Sequence, residues 1–109
     1  MQNSGVIIMP SKIVIPKDKV RDFCHRNHIQ KFALFGSVLR DDFGSESDID
    51  VLVEFEPGAG VGFFELYDME KELSRMFGGR KVEITTPRSL SKYFRDSVLK
   101  NAEIQYART

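Results

Sequence analysis

Between Lys17 and Asn27 the apolar residues Val20, Phe23 and Cys24 recur at the three- and four-residue steps of a helix face, with charged residues filling the other positions. That spacing predicts an amphipathic helix. The next apolar run, Lys31-Phe32-Ala33-Leu34-Phe35, is short and stops at Gly36-Ser37, as a buried strand entering a tight loop does. From Asp48 to Phe55 the period changes to two, with Ile49, Val51, Val53 and Phe55 on one face and Asp48, Asp50, Leu52 and Glu54 on the other. A second strand is predicted there, its polar face opening on two acids. Glu56 to Gly62 holds three glycines and a proline and reads as a loop. Phe63, Leu66, Met69, Leu73, Met76 and Phe77 then mark a second helix that Gly78-Gly79 stops. A third strand, Lys81 to Thr85, sets Val82 and Ile84 against Glu83. The steps of three and four from Leu90 to Ala107 predict one or two closing helices, and residues 1–16 read as a tail or short edge segment.

Composition narrows the possibilities without choosing among them. A chain of 109 residues, 41% apolar and 29% charged, is expected to fold as one domain over residues 17–109 around a single core. Lys plus Arg equals Asp plus Glu at 16 each, so overall charge provides no case for binding nucleic acid or an acidic membrane. No apolar stretch approaches the roughly 20 residues of a membrane helix. The single cysteine, Cys24, has no internal partner, and no signal peptide opens the chain, so a cytoplasmic location is expected.

The chemistry concentrates between Gly36 and Asp50. A glycine after a strand lets backbone N–H groups approach a phosphate closely, and Ser37 adds a hydroxyl donor. Asp48 and Asp50 are two apart, so along a strand both carboxylates project from one face and can share hard divalent cations such as magnesium. Phosphoryl transfer asks mainly for alignment and neutralisation of spreading negative charge, commonly by two metals about 3.5–4 Å apart. Glu83, on the polar face of the third strand, is the candidate third carboxylate, either completing a second metal site or accepting the acceptor's proton.

These residues and their spacing resemble the nucleotidyltransferase superfamily typified by DNA polymerase beta, and within it the minimal nucleotidyltransferases. Their usual run is Gly-Ser-x-x-Arg-Gly-Asp, a short gap, then Ser-Asp-Ile-Asp, matched here by Gly36, Ser37, Arg40, Asp42, Ser47, Asp48, Ile49 and Asp50. The likeness continues through Phe63 to Leu73, Gly79-Arg80-Lys81-Val82-Glu83 and Val98 to Tyr106. In two places the chain departs from the pattern: Asp41 stands where glycine is common, and Glu83 where aspartate is usual.

The resemblance implies an α/β (α+β) fold, a small mixed sheet with helices packed on it. It implies catalytic and metal-binding roles for Asp48, Asp50 and Glu83, nucleotide contacts at Gly36, Ser37 and Ser47, two Mg2+ ions, and a nucleoside triphosphate donor, usually ATP. It further implies the antitoxin half of a pair whose other half is a HEPN-domain ribonuclease toxin, with AMP moved onto a tyrosine of the toxin. An inert transferase-like antitoxin that neutralises its partner by stable binding is the alternative. Transfer to RNA or an antibiotic is less favoured, because 109 residues leave little room for an acceptor-binding domain. Whether the protein forms a homo- or hetero-oligomer stays open at this stage.

Other polar and aromatic residues have plainer readings. His25 and His28, three apart, are not joined by cysteines or acids into a complete ligand set and read as surface histidines. Cys24 reads as a small core residue, and Arg40 equally as a phosphate contact or a surface ion pair. Phe63, Phe64 and Phe77 are most simply core, although exposed ones would form a partner surface.

Overall fold

The structure, a computed structural model, describes residues 6–8, 14–39, 44 and 47–108. Strands β1 (Val6–Ile8) and β2 (Val14–Pro16) pair antiparallel in a small sheet of their own. Helix α1 (Lys17–Arg26) follows directly and buries Val20, Phe23 and Cys24, the residues of its predicted apolar stripe. Burial pushes the Cys24 thiol up to about 12, which leaves it an inert core group.

The main sheet is built from β3 (Ile29–Phe35), β4 (Ile49–Phe55), β5 (Val82–Thr85) and β6 (Glu103–Ala107), in the order β5-β4-β3-β6. Strand β3 runs antiparallel to both β4 and β6, while β4 and β5 are parallel. A parallel pair needs a crossover, and helix α2 (Phe63–Met76) supplies it. The alternation read from the sequence holds. Phe32, Leu34, Ile49, Val51, Val53 and Val82 pack with Phe23 from α1 and Met69 and Leu73 from α2 in one buried cluster. The Phe23 and Phe32 rings meet edge to face at 6.3 Å, and Arg26 ties α1 to Glu72 of α2 at 2.6 Å.

Two expectations are corrected. Residues 103–107, expected to be helical, form β6, because a core strand such as β3 cannot leave its outer N–H and C=O groups unpaired. Helix α3 (Lys92–Asn101) ends where Ala102 turns to extended dihedrals (φ −64°, ψ 143°), and beyond it Tyr106 pairs with Phe32 at a strand's period of two. The aromatics of α2 also divide. Phe77 is buried, whereas Phe63 and Phe64 are 89% and 87% exposed, because the buried stripe of α2 begins only at Leu66 and Met69.

Strand β5 is an edge, and α2 covers part of it: Glu70 Oε2 accepts the Ile84 backbone N–H at 2.8 Å. Removing that acceptor strands a half-buried N–H, so Glu70→Ala is expected to lower stability by about 1–2 kcal/mol in urea unfolding. Among the described residues no helix is long and apolar enough to cross a membrane.

Candidate active site

Strand β3 ends at Phe35, the register partner of Asp50 on β4, and the chain then turns through a single 3-10 turn, Gly36–Leu39, pinned by the fully buried Val38. Gly36 has φ +78°, a left-handed conformation that favours glycine. The space matters as much as the dihedral. A Cβ at this position would lie 2.5 Å from Asp50 Oδ2, so the turn and the carboxylate fit together only because position 36 has no side chain.

Asp50 is in turn the parallel register partner of Glu83, which places the two acids side by side on neighbouring strands, about 4.8 Å apart in the hydrogen-bonding direction. Glu83 is exposed and Asp50 half-buried. Asp48 stands two residues before Asp50, immediately ahead of β4, with its side chain 44% exposed and the Lys81 ammonium 3.9 Å from its Oδ2. The sheet thus brings the three predicted acids, distant in sequence, to one end of two adjacent strands. Among the described residues no three His, Cys, Asp or Glu side chains close into a metal-holding cluster. A protein-only cage is not what magnesium requires, however: it keeps several waters and is commonly held by one or two carboxylates together with substrate phosphates. An all-oxygen donor set at an open strand end fits that mode of binding.

The hydroxyls are placed differently from the simplest expectation. Ser37 Oγ donates to the Asp48 carbonyl at 3.3 Å, a long bond that links the Gly36 turn to the start of β4. Ser47 Oγ accepts the Gly44 N–H at 3.1 Å, while the Ser47 N–H donates to the Gly44 carbonyl at 3.1 Å. Both serines therefore shape the loop that carries Asp48. Arg40, Asp41 and Asp42 lie outside the described residues.

Arg80 is a residue whose role the sequence did not reveal. Its Nη2 donates to the carbonyls of Gly44 at 2.5 Å and Ser47 at 2.9 Å, and the next residue's carbonyl, that of Lys81, accepts the Ile49 N–H at 2.8 Å. The segment before β5 thereby holds the loop before β4. The only hint had been its place in the Gly79-to-Glu83 run. The histidines meet their plain reading: His25 is exposed against the Tyr106 ring at 5.8 Å, and His28 is exposed 3.7 Å from Glu56.

A family model described as a nucleotidyltransferase domain matches residues 17–104. The inferred protein adenylyltransferase MJ0435 of Methanocaldococcus jannaschii is 30% identical over 86 residues, 79% of this chain and 89% of the relative. The solved structure of an inferred minimal nucleotidyltransferase superposes with a TM-score of 0.65 at 30% identity, over 79% of this chain and 85% of that one. A chain of the complex between a tri-AMPylated HEPN toxin of Shewanella oneidensis and an MNT antitoxin shares the fold, with a TM-score of 0.58 at 19% identity over 84% of this chain and 69% of that one.

Proposed function

The chain belongs to the nucleotidyltransferase domain family, and from that membership we propose that it moves AMP from ATP onto a tyrosine of a partner HEPN-domain toxin and so acts in the cytoplasm as that toxin's antitoxin. The observation that carries the reading is the register of Glu83 beside Asp50, with Asp48 two residues upstream, at the strand end where the Gly36 turn closes on Asp50. Similarity to a protein adenylyltransferase supports the transferred group. The fold shared with a chain from an AMPylated toxin complex supports the partner class.

Asp48, Asp50 and Glu83 are the residues that would hold magnesium, two ions in this reading, and the metal when bound neutralises charge on the donor phosphates. Gly36 admits the triphosphate against backbone N–H groups. The acceptor oxygen bonds to the α-phosphorus, the bond from that phosphorus to its bridging oxygen breaks, and pyrophosphate leaves. Glu83, the most exposed acid of the three, takes the hydroxyl proton of the incoming acceptor. Arg80 acts at one remove, by fixing the loop that carries Asp48. Arg80→Ala is therefore expected to lower the transfer rate about tenfold through misplacement of that acid.

The test is to mix the protein, magnesium, labelled ATP and a candidate HEPN-domain partner and to weigh that partner before and after. A gain of one or more AMP units supports transfer. A stable complex with no gain in mass would replace it by neutralisation through binding alone.

A further inference from the structure

Lys81 stands immediately before β5, and the pairing of β5 with β4 fixes what lies beside it. Ile49 is the register partner of Val82 and Asp50 that of Glu83, while the Ile49 N–H donates to the Lys81 carbonyl at 2.8 Å. One residue further back, the same register sets Lys81 next to Asp48, and the 3.9 Å between Lys81 Nζ and Asp48 Oδ2 agrees with it. A period of two puts Lys81 on the face of Glu83 and Asp48 on the face of Asp50. The strand end thus carries two rungs of side chains, three acids and one ammonium. The chemistry proposed above uses the acids and leaves the ammonium without a task.

A structural role suits Lys81 poorly. Its side chain is 78% exposed, and an exposed pair at this distance adds little to stability. The tie between the segment before β5 and the loop before β4 is already made by Arg80, through the carbonyls of Gly44 and Ser47. Electrostatics gives Lys81 a different use. A divalent cation on Asp48 repels an ammonium at the same carboxylate. A metal shared between Asp48 and a donor phosphate also brings phosphate oxygens beside the carboxylate that the ammonium already reaches. Lysine's flexible four-carbon stem and three donors permit that short move, and leaving a weak, exposed pair costs little.

Resting on the transferase reading above, we propose that Lys81 is a further phosphate-contacting residue of the site, which neutralises Asp48 while no metal is bound and turns to the donor's triphosphate once metal takes that carboxylate. One substitution then has two effects of opposite sign, because removing the ammonium removes both a competitor of the metal and a partner of the phosphates.

The experiment is calorimetric titration of the full chain, first with magnesium alone and then with inorganic tripolyphosphate at saturating magnesium. Lys81→Met, which keeps an apolar stem without the charge, is expected to bind magnesium about threefold more tightly than the wild type. The same variant is expected to bind tripolyphosphate about tenfold or more weakly. Lys81→Arg, which keeps the charge, restores tripolyphosphate affinity to within about threefold of the wild type. A merely structural residue would move both affinities in the same direction. Tripolyphosphate affinity unchanged in Lys81→Met, or lowered together with magnesium affinity, overturns the assignment of Lys81 alone. Failure of the wild type to bind either magnesium or tripolyphosphate overturns the transferase reading along with it.

Discussion

Asp48→Asn combined with Asp50→Asn is expected to reduce AMP transfer about 10^3-fold or more while the protein stays folded. The substitution preserves side-chain size and removes two negative charges from the end of β4, where Asp48 is 44% exposed and Asp50 half-buried. No core residue changes, so circular dichroism and the unfolding midpoint are expected to remain close to the wild type. Catalysis has no such tolerance: an amide is a weaker ligand for magnesium than a carboxylate, and charge neutralisation accounts for much of what a phosphoryl-transfer site provides. The measurement is the partner's mass after incubation with ATP and magnesium. Undiminished modification by the double variant would remove these acids from the chemistry. Loss of modification together with loss of the folded signal would count against their position at a tolerant strand end.

Gly36→Ala is expected to cost both stability and activity, for separable reasons. A left-handed φ of +78° is unfavourable for alanine by about 1–2 kcal/mol, which lowers the unfolding midpoint by about 5–10 °C in a domain of this size. The added Cβ also falls 2.5 Å from Asp50 Oδ2. A carboxylate is the movable end of its side chain, so the contact is relieved chiefly by displacing the acid, and displacement of a reacting group by about 1 Å is enough for a rate loss of about a hundredfold. Gly58→Ala separates the two effects. Gly58 has a similar φ of +81°, but a Cβ there meets nothing within 4 Å. Comparable destabilisation with activity retained at position 58, against loss of both at position 36, is the expected pattern in thermal unfolding and transfer assays run side by side. Equal activities in the two variants would contradict the close fit of the turn to Asp50.

Most of the elements were legible because burial imposes a period. Val20, Phe23 and Cys24 predict the buried face of α1, and the alternation from Ile49 to Phe55 predicts β4 with its acids on the other face. The tail was misread for a physical reason. Leu90 to Tyr106 mixes steps of three and four because a helix is followed directly by a strand, and what makes residues 103–107 extended is the open edge of β3, more than 60 residues earlier in the chain. Phe63 and Phe64 lie on a helix that does form, but its first turn extends past the buried stripe. Periodicity reports a helix's apolar side and not where the rest of the protein stops covering it.

By itself the sequence determined the local chemistry: a strand running into Gly36-Ser37, two carboxylates at the two-residue spacing that puts them on one strand face, and a third on another short strand. These follow from backbone sterics and side-chain alternation, which act over a few residues. The tertiary structure alone decided that Glu83 is in register with Asp50, that Gly36 is closed against the Asp50 carboxylate, that Arg80 holds the loop bearing Asp48, and that the aromatics of α3 face the same turn. Each joins segments from 14 to more than 50 residues apart, brought together by strand pairing and by the shared burial of one sheet face, which no local pattern encodes.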